Sequence, residues 1–178
     1  MRRIVTGHDS EGRSVIVSDG LPPRTTEYKS VPGMSISVVW ATEPGQPVSR
    51  AGTDSTADVV SVVPSQGGNR LMWLVFPPDA VVASPDFDGA GFVAEHRLKA
   101  PGLAELFEAD GMHTTPTVDY SIVVEGEIWL ETDEQKLTRL EAGDVVIQNG
   151  TRHGWRNRSD KRAVVMTALI GSPTEESR

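Results

Sequence analysis

The stretch Gly111-Met112-His113-Thr114-Thr115-Pro116-Thr117-Val118-Asp119-Tyr120 decides how this chain is read. In extended backbone alternate residues share a face, so His113, Thr115 and Asp119 point the same way. Asp119 is followed by an apolar strand, Tyr120–Val124, and a tight turn at Glu125-Gly126-Glu127. An ionisable residue that opens an inward-facing strand is costly unless it is paired or holds a metal. A second stretch runs from Gly143 to Asn157. Ala142-Gly143-Asp144 makes a turn, Val145–Gln148 a strand, and Asn149-Gly150 another tight turn. His153 then heads a strand in which Trp155 and Asn157 share its face while Arg156 and Arg158 face out.

Working outward, glycine (17) and proline (12) punctuate the chain every few residues, and short β-branched runs lie between them. Ile4–Val5, Ser14–Ser18, Ile36–Trp40, Arg70–Phe76, Gln135–Leu140 and Arg162–Ile170 read as further strands. The first two flank His8-Asp9-Ser10-Glu11-Gly12, a turn-forming cluster that predicts an N-terminal hairpin. The one helical candidate is Pro101–Ala109, with Leu103, Leu106 and Phe107 on one face and Gly111 as its stop. Residues 50–68 and 84–100 read as loops. Many short strands with one brief helix give an all-β fold, a barrel or a sandwich. The expected organisation is a single domain, with 1–50 as an N-terminal β arm packing on a barrel made by 51–178.

Composition narrows the function. A chain of 178 residues buries enough surface for its own core. A formal net charge of −8 argues against a nucleic-acid or anionic-membrane partner. The absence of cysteine excludes disulfides, thiolate metal sites and cysteine nucleophiles. No apolar run is long enough to span a bilayer, and no apolar leader follows Met1-Arg2-Arg3, so a cytoplasmic protein is expected. There is no phosphate-binding loop, dinucleotide fingerprint or serine nucleophile elbow.

With both motif stretches in view, the sequence resembles the cupin superfamily, small β-barrels whose two motifs bring metal ligands to the barrel interior. The first cupin motif runs His-x-His, three or four residues, Glu, six residues, Gly; here it reads His113-x-Thr115, three residues, Asp119, six residues, Gly126. The second motif appears as Gly143, Gln148-Asn149-Gly150-Thr151-Arg152-His153 and Asn157, one residue shorter, with Gln148 near the usual proline position. The resemblance covers about 111–171 and implies a double-stranded β-helix, or jelly-roll barrel. Thr115 replaces the second histidine and Asp119 the glutamate. The set that remains, His113, Asp119 and His153, is chemically sufficient for a divalent zinc, iron, manganese or nickel ion. Asp119 is one methylene shorter than glutamate, so it binds such an ion directly, reaches it poorly, or acts through water. The alternative is a buried His113–Asp119 hydrogen-bonded pair with His153 as a satisfied core histidine.

The resemblance implies a metal-dependent enzyme acting on a small organic acid or carbonyl compound by enolate or carbonyl chemistry. An Fe(II) dioxygenase and a non-catalytic metabolite-binding cupin are the other readings. Thr115 is placed to hold a water or a substrate hydroxyl, and Gln148 either lines the pocket or caps the following turn. The remaining side chains read more simply. His8 and His96 are assigned to the surface, Arg70 to the surface ahead of a contact with a substrate carboxylate, Tyr120 to the outside of the barrel wall, and Trp129 and Trp155 to aromatic packing or to the wall of a cavity. Asp133, Glu134, Glu141 and the Glu175-Glu176 tail read as solvated charge. The exposed edges of a small barrel and the apolar N-terminal hairpin predict a homodimer.

Overall fold

The computed structural model describes residues 1–49 and 52–173. Arg50, Ala51 and the Glu175-Glu176 tail lie outside the described residues. The described chain forms β1 (Arg3–His8), β2 (Ser14–Gly20), β3 (Arg24–Glu27), β4 (Ser35–Thr42), β5 (Asn69–Phe76), α1 (Gly89–Lys99), β6 (Thr117–Glu125), β7 (Glu127–Thr132), β8 (Lys136–Glu141), β9 (Val145–Asn149), β10 (Gly154–Arg156) and β11 (Ala163–Gly171). This is the all-β architecture that the strand pattern predicts.

A six-stranded sheet runs in the order β3-β4-β5-β11-β6-β9, a three-stranded sheet in the order β10-β7-β8, and β1 pairs with β2. Every pairing is antiparallel. The large sheet carries the site. Along β6 the residues Thr117, Asp119, Ser121 and Val123 are buried while Tyr120 is exposed, so one face of the strand points inward. Register places Asp119 opposite Leu169 of β11 and Gln148 of β9. Val123 and Val165 of the large sheet meet Ile128, Leu130 and Leu140 of the small one in a buried apolar cluster. That contact sets the two sheets face to face. A second cluster, with Ile36, Val38 and Met72 on the sheet, is covered by Tyr28, Val31, Val62 and Ala100 from the segments outside it.

The turn between β6 and β7 requires Gly126. Its φ is +76°, and a Cβ there would lie 2.5 Å from the Arg162 carbonyl oxygen. Only glycine permits both the left-handed backbone and that approach.

Two helical assignments are corrected. The α-helix lies at Gly89–Lys99, inside the stretch read as a loop, while Pro101–Ala109 holds only a short 3-10 turn at Ala104–Leu106. Gly102, at φ +83°, turns the chain left-handed directly after Pro101 and prevents a helix from starting there. Helix α1 is capped by Asp88, whose carboxylate accepts the Gly91 N–H at 2.8 Å. Its apolar residues do not form a stripe: Leu98 is 84% exposed, whereas His96 is buried.

The 52–68 segment packs against the barrel, burying Thr56, Val59 and Val62. The N-terminal hairpin is tied to the same region. Arg3 is buried, donates to the Val39 carbonyl at 3.1 Å and pairs with Asp54 at 2.5 Å. Arg70, assigned to the surface from sequence, is also buried. It donates to the carbonyls of Ser61, Thr42 and Asn69 and pairs with Glu43, so the backbone around it supplies the partners that its charge needs.

Candidate functional site

The two motif stretches meet at His113 and His153. Each donates its backbone N–H to the other's carbonyl at 2.9 Å, an isolated antiparallel bridge between the segments. Paired residues carry their side chains to the same side, and the imidazole centroids lie 4.3 Å apart. Phe107 stacks on the other face of His113 at 4.3 Å and 13°. Trp155 meets His153 edge-on at 6.2 Å.

An ion-pair cluster holds this junction closed from outside. Arg152, next to His153, reaches Glu108 at 2.7 Å, Asp110 at 3.0 Å and Asp133 at 3.1 Å. Arg156 pairs with Glu131 and donates to the Asp110 carbonyl at 2.9 Å. The 107–113 segment is thereby fastened to the His153 segment and to the turn after β7. Asp133 takes part as a charge that is solvated and paired at once.

The junction opens on a cavity of about 80 Å³ inside the barrel. Thr115, Asp119 and Ser121 line it from β6 and its approach, with Thr167 from β11. Met34, Ile36, Met72, Leu74 and Leu169 form apolar wall. Ser121 and Thr167 satisfy each other at 2.8 Å, and the Thr115 and Thr117 hydroxyls lie 2.7 Å apart. His113 Nδ1 and Asp119 Oδ1 are buried without a hydrogen-bond partner. Such groups are uncommon in folded proteins.

Protonation follows from burial. Desolvation, with the neighbouring His153 next in weight, pushes His113 down to about 3. Burial lowers His153 as well, against the opposing pull of the Thr151 carbonyl. His153 Nδ1 lies 2.9 Å from that carbonyl oxygen, which only accepts. The proton of the neutral ring is therefore on Nδ1, and Nε2 carries the lone pair. Burial pushes the Asp119 carboxyl up, with a hydrogen bond from Thr117 in partial opposition. The site thus sets a neutral imidazole base near a carboxyl displaced toward its protonated form.

The sequence-predicted residues divide as follows. His113, Thr115, Asp119, His153 and Trp155 all line the cavity. Gln148 is buried opposite Asp119 in register, with Nε2 unpartnered, but is not on the cavity wall. Trp129 faces away and carries the Arg139 guanidinium 6.0 Å above its ring. His113 and His153 adjoin, yet among the described residues no group of three or more His, Cys, Asp or Glu side chains is placed to hold one metal ion. His96 is the residue that sequence reading missed. Assigned to the surface, it is buried and lines the same cavity. Its charged neighbours Glu95 and Arg97 hid it; the Phe92–His96 spacing of one helical turn was the available signal.

The two sheets enclose a mainly apolar cavity with a few polar groups. Residues 107–169 match the family model described as Cupin domain, so this part of the chain is similar to that family. Over 66 residues the chain is 50% identical to phomopsin biosynthesis cluster protein C' of Diaporthe leptostromiformis, covering 36% of this chain and 35% of that protein. Over 47 residues it is 47% identical to oryzines biosynthesis cluster protein J of Aspergillus oryzae, covering 26% of each. The matched stretch therefore spans about a third or less of these relatives. Among solved structures, a Cupin 2 conserved barrel domain protein from Salinispora arenicola aligns with TM-score 0.35 and 17% identity, over 57% of this chain and 62% of that one. Among the described residues no helix is long and apolar enough to cross a membrane.

Proposed function

We propose that this chain binds a small carbonyl compound in its barrel cavity and catalyses proton transfer on it. The observation that carries the reading is the pairing, at one cavity, of a lone-pair nitrogen on His153 with buried, unpartnered atoms on His113 and Asp119. His153 Nε2 takes a proton from the carbon next to the carbonyl, and the Asp119 carboxyl donates to the oxygen as the enol forms. Delivery of the His153 proton to a different carbon, with Asp119 taking a hydroxyl proton back, gives isomerisation; departure of a β leaving group protonated by His153, with Asp119 taking back the enol proton, gives elimination. The apolar walls exclude water, which strengthens both contacts. Two of the matched relatives are named for biosynthesis clusters, which supports a substrate from small-molecule biosynthesis.

The test is deuterium exchange at carbon next to the carbonyl, followed by NMR in D₂O over a panel of small ketones, aldehydes and keto acids. At least one compound exchanges at least tenfold above buffer, and His153→Gln abolishes the gain. No exchange on any compound overturns the reading in favour of a binding module. Exchange that requires a stoichiometric metal, lost on chelation, overturns it in favour of a metal-dependent enzyme, and substrate-dependent oxygen uptake in favour of a dioxygenase.

We also propose a homodimer built on the outer faces of the barrel. Tyr120, Val145 and Ile147 are exposed on β6 and the edge strand β9, as are Ile4 and Ile16 on the hairpin. Light scattering of the full chain and of Ile147→Lys tests it: a monomeric full chain overturns it, and a dimer that the substitution splits supports it.

A further inference from the structure

The third histidine of the cavity lies on a different element from the first two. His96 sits on α1 with 4% of its surface exposed, stacked on Phe92 at 5.3 Å. Phe107 separates it from His113, with ring-to-ring steps of 5.0 Å to His96 and 4.3 Å to His113. The Tyr28 hydroxyl lies 2.7 Å from His96 Nδ1. Nε2 is buried and has no partner.

The tautomer follows from Tyr28. That residue is itself buried, and both desolvation and the nearby Glu95 charge push its phenol up, so it stays protonated. A buried phenol that only accepted would strand its proton without a partner. Tyr28 therefore donates to Nδ1. Burial, opposed by the Glu105 charge, brings His96 down to about 4, so the ring is neutral near pH 7 and its single proton is on Nε2. The helix is held in place by Glu95, whose carboxylate accepts the Lys29 and Ser30 backbone N–H groups at 2.9 Å and 2.8 Å and pairs with Lys99 at 2.6 Å.

We propose that His96 is a ligand-binding residue, its Nε2–H donating to a neutral acceptor oxygen of the bound molecule on the far side of Phe107 from His113 and His153. The preferred ligand then has an apolar body with a reacting carbonyl at the His153 side and a second ketone, ester or ether oxygen for His96. A carboxylate is disfavoured at this position, because the ring is neutral and apolar side chains surround it. The inference rests on the cavity being the ligand site, and its test separates the two claims.

Cyclohexanone and methylcyclohexane, alike in shape and different in the acceptor oxygen, serve as probes of the intact protein labelled with ¹⁵N-histidine and ¹³C-methyl methionine. Before either is added, His96 shows an accepting Nδ1 and a protonated Nε2; a protonated Nδ1 overturns the inference without any substitution. Both probes shift the Met34 and Met72 methyl signals, which reports occupancy of the cavity alone. Only cyclohexanone shifts the His96 Nε2–H signal. The ratio of the two affinities falls about tenfold in His96→Leu and is kept in His96→Gln, whose amide nitrogen can take the place of Nε2. Methyl shifts with an unchanged His96 signal, or with an unchanged ratio in His96→Leu, overturn the role of His96 and leave the cavity standing. Absence of methyl shifts overturns both.

Discussion

The cavity is closed by two regions that follow different rules. The barrel side, with β6, β9 and β11, is regular: every second residue faces in, and register alone brings Asp119 beside Gln148 and Leu169. The helical side, with α1 and the 101–113 connection, is irregular. Its inward residues are held by a carboxylate accepting backbone N–H groups, a left-handed glycine and a line of aromatic rings. The helical side provides a shape that depends on a few particular contacts.

The largest expected effect lies in the barrel. Gly126→Val forces a branched side chain into φ +76° and toward the Arg162 carbonyl. It should destabilise the protein by about 3 kcal/mol or more, enough to lower soluble yield, as read from urea unfolding. A loss under 1 kcal/mol would mean that the β6–β7 turn is soft and the contrast between the two sides false.

Acid probes both sides at once. Burial holds His96 and His113 below the ordinary histidine value, at about 4 and about 3, and lowers His153. Between those values and about 6.5 the unfolded chain binds more protons than the folded one, so stability falls as pH drops from 7 toward 4. Asp119 works the other way. Its raised value makes the folded state bind the extra proton, which adds stability below its folded pKa and loses it as pH rises. Three histidines outweigh one carboxyl, so the expected slope is about 1.4 kcal/mol per pH unit for each histidine proton, less the Asp119 contribution. Urea midpoints at pH 7 and pH 5 measure it. His113→Gln should flatten the slope on the barrel side and His96→Gln on the helical side. A flat profile in the unmodified protein would show that water reaches these rings.

Legibility in sequence follows the same division. Alternation and motif spacing made His113, Thr115, Asp119 and His153 readable, because a half-buried strand writes its burial directly into every second residue. The helix was unreadable for an equally physical reason. It begins Gly89-Ala90-Gly91, its exposed face carries Val93 and Leu98, and its inward histidine lies between Glu95 and Arg97, so no apolar stripe exists to be seen. Arg70 and Arg3 were missed for a related reason: their burial depends on backbone carbonyls brought from distant segments, which no local pattern encodes.

The metal question sharpens the comparison within the barrel. Thr115 shares the cavity with His113 and His153 and stands where the cupin motif has a second histidine. Thr115→His should therefore complete a three-imidazole site and raise Zn²⁺ or Ni²⁺ affinity at least tenfold by calorimetry, while reducing the space left for ligand. Equal affinity in both proteins would mean that the wall at 115 turns away from the histidine pair.

The smallest effect is expected farthest from the cavity, at Gly12 in the turn between β1 and β2. Its φ of +79° nearly equals that of Gly126, but a Cβ there would meet nothing within 4 Å. Gly12→Ala therefore bears only the left-handed backbone strain, about 1 kcal/mol, without a collision. Asp9 supports the turn around it, accepting the Glu11 and Arg13 backbone N–H groups at 2.9 Å each, so the hairpin keeps its shape while the glycine is replaced. The two glycine substitutions are matched in dihedral and differ in surroundings and in the side chain introduced, so the excess at Gly126 reports collision and β-branching beyond backbone strain. Urea unfolding should show the Gly12→Ala loss at no more than a third of the Gly126→Val loss. Similar losses would mean that the hairpin is fixed as firmly as the barrel, through the anchor that Arg3 makes to Val39 and Asp54.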